Sequence, residues 1–172
     1  MSGNAYTKNI GAFLNHVLGF VQTSQTAGAT SEINGLAIDR NAQALTNLNA
    51  PNLLKTYHSA VAMFGGRATL ASCNTLSVIG NFQHSDSTTT GFTDVGTALS
   101  TTKVLDAAGG ALTAQAWKAK MPIILSEAKQ VIRVQATPVF SATGTDTCEI
   151  LCLVVFGGAQ ENQAQLAIGP NG

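Results

Sequence analysis

From residue 32 onward the chain is a succession of segments whose apolar residues recur at every second position, parted by turns of Gly, Ser, Thr and Asn. That period belongs to strands with one buried face in antiparallel sheets, because successive side chains point to opposite faces. In "ATLASCNTLSVIGNFQH", Leu76, Val78 and Phe82 share one face, and Thr75, Ser77, Asn81 and Gln83 the other. "LKTYHSAVAMFG" sets Tyr57, Ser59, Val61 and Met63 against His58, Ala60, Ala62 and Phe64. "KQVIRVQATPVF" sets Ile132, Val134 and Ala136 against Arg133, Gln135 and Thr137. "INGLAID" is a short first strand, and "TDVGTALSTTKVLD" and "GALTAQAWKAK" are two more, with the turn signal "AAGG" between them. "DTCEILCLVVFGG" is apolar on both faces, which predicts a central strand. "NAQALTNLNAPNLL" breaks the pattern and reads as a short helix or an irregular connection stopped by Pro51. The expected fold is mainly β: an antiparallel β-sandwich or jelly roll of about eight strands over residues 31–161, with a tail over 162–172.

The first thirty residues differ. Ile10, Phe13, Leu14, Val17, Leu18 and Val21 fall at i, i+3, i+4, i+7, i+8 and i+11. That spacing predicts one apolar stripe on a helix of about three to four turns, weakened by Gly11 and Gly19. "TSQTAGATS" then reads as a flexible polar tether, so residues 1–30 form an N-terminal helical arm with its linker. A lone helix cannot bury such a stripe. It packs on its own sandwich or on a neighbouring molecule, and the tether favours the neighbour, with these six residues as the interface. Deleting residues 1–26 is then expected to leave the sandwich folded. Binding to a membrane is disfavoured, because Lys8 and His16 are the only candidate cations on the polar face. No signal-peptide pattern opens the chain, and no run of apolar residues is long enough to span a bilayer.

"NFQHSDSTTTGFTDVG" is the one stretch that imitates a catalytic site, with His84, Ser85 and Asp86 in succession. A nucleophile, its base and the group that orients the base must converge through hydrogen bonds. Three consecutive residues splay instead, and Ser and Asp favour turns by bonding their own backbone. This stretch therefore reads as a loop tip, and the other histidines, His16 and His58, as structural. No zinc spacing, paired carboxylates or phosphate loop stands out, so no enzyme, cofactor or metal is expected. Cys148 and Cys152 on one strand lie roughly 13 Å apart, too far for a disulfide. With Cys73 they read as buried small hydrophobes. Trp117 reads as a core or interface anchor.

Nine Lys and Arg balance nine Asp and Glu, and scattered basic residues argue against nucleic acid as a partner. Charged residues are 10% of the chain, against about 25% usually. Weak repulsion between copies implies a surface largely covered by partners.

"LSVIGNFQHSDSTTTGFTDVG", preceded by "LAIDR" and "YHSAVAMFG", resembles structural proteins of tailed-bacteriophage virions, in which a strand "L-x-V…N-x-Q-H-S-D" enters a loop closed by "F-T-D". "KQVIRVQATPVFSATGTDTCEILCLVVFGGAQE" is similar too, with its "I-R-V" strand and closing "V-F-G-G-A-Q". The resemblance covers residues 33–161. It implies a head decoration (cement) protein, commonly a β-sandwich homotrimer, made in the host bacterial cytoplasm and seated on the outer surface of the capsid. The implied partners are the major capsid protein and further copies of the chain. Two alternatives stay open: another virion component such as a capsid or tail protein, and a carbohydrate-binding jelly roll, which would show a concave face with clustered aromatics or His and carboxylate ligands.

Overall fold

The computed structural model describes residues 14–41 and 57–157. Among the described residues nine strands follow one another: β1 (Leu14–Thr26), β2 (Ile33–Asn34), β3 (Ile38–Asp39), β4 (Ser59–Leu70), β5 (Thr75–Ser85), β6 (Thr93–Asp106), β7 (Leu112–Ile124), β8 (Val131–Phe140) and β9 (Thr147–Gly157). They form two antiparallel sheets. One has the order β1-β9-β4-β7, and the other the order β2-β8-β5-β6, with β3 also paired to β8. β2 and β3 are two pieces of one interrupted strand along β8, since Ile33 pairs with Ala136 and Ile38 with Ile132. Counted so, the eight described strands alternate between the sheets in a jelly-roll order, and among them β5–β6 is the one hairpin that stays within a sheet. "INGLAID" is thus this interrupted strand, and "AAGG" carries the chain from one sheet to the other rather than around a hairpin.

The alternation read from the sequence is the alternation of burial. Ala60, Ala62 and Phe64 of β4, Leu76, Val78 and Phe82 of β5, and Ile132, Val134 and Ala136 of β8 all point between the sheets. Beside those of β4, and facing those of β5 and β8, come Cys148, Ile150, Cys152, Val154 and Phe156 of β9. β9 is central, with β1 on one side and β4 on the other. The Phe64 ring packs beside Phe20 of β1, centroids 6.3 Å apart, and reaches across to the backbone of Gly80 in the opposite sheet. Trp117 is a core residue, buried under β7.

Over the described residues the expected N-terminal helix is a strand. The described residues contain no helix, and Leu14–Thr26 is a strand paired to β9 along nearly all of its length. The polar residues assigned to a tether belong to it as well: Thr23 pairs with Ile150 and Thr26 with Thr147. The misleading period has a physical cause. The register shifts between Leu18 and Phe20 and again between Phe20 and Thr23. Both shifts come after Leu18; from Leu14 to Leu18 the ladder is regular, with Val17 on the inner face and Leu18 on the outer one, so apolar residues on both faces of a strand imitate a helical spacing. The strand's Val17, Val21 and Thr23 favour β, and β9 supplies the partner that a marginal short helix lacks. Ile10 and Phe13, like residues 42–56 and 162–172, lie outside the described residues.

The two ends of the sandwich differ. At one end the turns are laced together: the Cys73 N–H donates to the Ala107 carbonyl, the Ala107 N–H to the Asn74 carbonyl and the Ala27 N–H to the Asp146 carbonyl, at 2.8–2.9 Å. The buried Asp146 carboxylate accepts from the Ala71 N–H and from Asn74 Nδ2, both at 2.7 Å. At the other end lie Leu14, Gly157 and Ser59, which are register partners, together with the loop 86–92 and the turn 125–130.

Candidate functional site

His84, Ser85 and Asp86 close β5 and diverge. Ser85 is buried; its Oγ donates to the Thr90 carbonyl at 2.6 Å and accepts from the Ser87 N–H at 3.0 Å. His84 Nδ1 accepts from the Lys129 N–H at 3.4 Å, and Asp86 forms an ion pair with the Lys129 side chain at 2.8 Å. The serine folds its own loop, and the histidine and aspartate anchor that loop to the 125–130 turn. Ser85→Ala removes both loop hydrogen bonds from a buried position. It is expected to cost about 1–3 kcal/mol of stability, read from the midpoint of urea unfolding.

The thiols divide by burial. Cys148 and Cys152 lie in the core, where burial pushes their pKa up to about 11 and about 12. They are inert at neutral pH. Cys73 is not the buried hydrophobe expected: it is exposed in the β4–β5 turn, with φ of 67°. Among the described residues no three His, Cys, Asp or Glu side chains group as metal ligands.

The outer faces of the two sheets are unlike each other. On the β2-β8-β5-β6 sheet the face carries a polar lattice, with the 40% exposed Ile79 as an apolar exception. Asn81 Nδ2 and Gln83 Nε2 both donate to Asp94 Oδ1, at 2.6 and 2.9 Å, and Arg133 Nε donates to Gln83 Oε1 at 2.8 Å. Gln135 donates to Glu32 and Asn34. The Arg133 guanidinium covers the Phe92 ring, 4.1 Å from its centroid. These groups satisfy one another, and the aromatic face that a sugar would stack on is taken.

The β1-β9-β4-β7 sheet presents the opposite character. Residues directly opposite in register share a face, so the pairing defines rows across its outside. One row is His16, Val155, Val61 and Pro122; the next is Leu18, Leu153, Met63 and Lys120. The third is Leu151, Gly65 and Lys118, and the fourth Glu149, Arg67 and Ala116. Met63 is 50% exposed, Leu18 40% and Ile124, at the end of β7, 74%. At that end Val61, Pro122 and Ile124 continue into an open cleft of about 710 Å³, whose far wall is Val95, Gly96 and Thr97 of β6. A sheet face turned to water normally carries polar residues. Here its centre is aliphatic, a character that interaction surfaces share.

Of the six residues expected to form the interface, Val17, Leu18 and Val21 do not share one environment. Val17 is half-buried and packs on the core, Leu18 belongs to the apolar outer face and Val21 is exposed. Leu14 begins β1 opposite Gly157, and Ile10 and Phe13 lie outside the described residues. The residues missed, Leu151, Leu153, Val155, Val61 and Met63, had a signal. β9 reads as apolar on both faces, and a central position within a sheet buries only one of them.

No protein-family model and no curated protein matches the chain. Among solved structures it is similar to the infectious bursal disease virus T=1 particle, at 14% identity and a TM-score of 0.41 over 85% of this chain and 32% of that one. It is also similar to the infectious bursal disease virus VP2 subviral particle, at 14% identity and a TM-score of 0.39 over 85% of this chain and 33% of that one. The chain spans about a third of the length of these structures. The likeness is distant and concerns the capsid-like β fold alone.

Proposed function

We propose that this chain is a structural virion protein of the decoration type, which binds the outer surface of a bacteriophage capsid as a homotrimer and stabilises its lattice. The observation that carries the reading is the aliphatic outer face of the β1-β9-β4-β7 sheet, placed opposite a self-satisfied polar face. A molecule with one apolar and one hydrated broad side lies flat on a larger surface, apolar side down. A sandwich laced at one end supplies the rigid body that a cement needs. Around a symmetric trimer, weak contacts add through effective concentration. The resemblance of the β4–β6 and β8–β9 sequences to phage virion proteins points the same way.

The test is to mix the purified protein with bare capsids of the virion and count bound copies by electron microscopy. The wild type is expected to saturate a fixed set of lattice positions, and to sediment as a discrete trimer when alone. Met63→Glu places a charge in the middle of the apolar face at a half-exposed position. It is expected to lower occupancy at least tenfold while the melting temperature holds. Closed shells formed by the protein alone, without capsids, would instead make it a coat subunit.

A further inference from the structure

The charges around the apolar face are as unequal as its faces. Of the described cations, Lys103 is paired with Asp106 and Lys129 with Asp86, Arg40 donates to the Ala128 and Lys129 carbonyls, and Arg133 is held by Gln83 and Phe92. The remaining three, Arg67, Lys118 and Lys120, are exposed, make no ion pair and project from the outside of the same sheet. Register places them in adjoining rows along β4 and β7, directly beside Met63 and Gly65. One carboxylate shares the face, that of Glu149 opposite Arg67. In a chain with no net charge, the unneutralised cations of the described part therefore border one aliphatic patch.

Resting on the capsid-binding reading, the geometry points to the chemistry of the partner: a different protein chain that presents an aliphatic strip bordered by Asp and Glu side chains, which meet Lys118, Lys120 and Arg67. A second copy of the same face does not fit, because it would bring three more cations and a single carboxylate. Apolar centres with complementary charged rims are how specific interfaces divide their work: the centre holds, and the rim steers the encounter and sets the register. The lysines also keep the open edge of β7 from pairing with another strand, as charged edge residues do. That second effect favours the broad face over the edge as the docking element.

The experiment uses the full chain, bare capsids and a zero-length carbodiimide that joins amines to carboxylates, followed by mass spectrometry. Lys118 or Lys120 is expected to couple to an Asp or Glu of the capsid subunit. The double variant Lys118→Glu, Lys120→Glu is expected to bind at least tenfold more weakly at low salt, with an unchanged thermal melt. Lys103→Glu, on the other sheet, is expected to bind as the wild type does. Wild-type binding should weaken as salt rises, because exposed charges are screened within about 10 Å at 0.1 M. Binding that Met63→Glu abolishes, but that salt and the double lysine variant leave untouched, overturns the acidic-rim inference and keeps the capsid reading. Couplings from these lysines to other copies of the chain overturn it in favour of self-association. A wild type that does not bind capsids at all removes both.

Discussion

Deleting residues 1–26 is expected to unfold the protein. β1 is the edge strand of the β1-β9-β4-β7 sheet and runs beside β9 from Leu14 to Thr26. Its Phe20 is buried against Phe64, and Val17 packs on the core. Truncating one buried phenylalanine to alanine costs about 3–5 kcal/mol, against a total stability of about 5–15 kcal/mol for a domain. Losing the whole strand also strips the ladder from one side of β9 and opens Cys152 and Val154 to water. The deleted protein should lack a cooperative melt by circular dichroism and should aggregate, since an uncovered apolar edge is a template for pairing. Phe20→Ala should give a graded version, folded but about 3–5 kcal/mol less stable. A truncated protein that melts like the wild type would show that the sandwich closes without β1, and that the arm first read from the sequence is separable.

Gly66→Ala is expected to have an effect of the same order from a single methyl group. Gly66 sits in the middle of β4, paired to Ile150 on one side and Trp117 on the other. A Cβ there would overlap the Glu149 carbonyl oxygen and lie 2.7 Å from its carbonyl carbon. Both obstacles are backbone, so relief requires β4 and β9 to part at the centre of their ladder. The expected result is a loss of more than about 4 kcal/mol, in the range of the most damaging substitutions, seen as insoluble or unfolded protein. Gly65→Ala is the control. Its methyl group would point to the outer face and meet nothing closer than the Trp117 carbonyl oxygen at 3.6 Å. That variant should melt within a few degrees of the wild type. Equal tolerance of both variants would mean that the close approach of β4 to β9 is not a constraint in solution.

The sequence by itself determined β4, β5 and β8, because each carries a two-residue alternation and the sandwich buries one face of each; β9 was legible as a central strand from its apolar run. It also determined that His84, Ser85 and Asp86 diverge, since consecutive side chains do so in a strand and in a turn alike; that the loop begins only at Asp86, with His84 and Ser85 ending β5, came from the structure. It did not determine β1. Apolar residues on both of its faces, Val17 inward and Leu18 outward, have the spacing of a helix, and only the open edge of β9, far away in the chain, decides that these residues extend and pair. Nor did it determine the surface that matters. Leu153 and Met63 lie ninety positions apart, Lys120 between them, and each alone is an ordinary outward residue. They become an apolar patch with a cationic border only when the jelly-roll order lays β1, β9, β4 and β7 side by side in register. Periodicity records which side of a strand faces away from the core; which strands stand next to each other, and so what that side adds up to, is settled by long-range pairing alone.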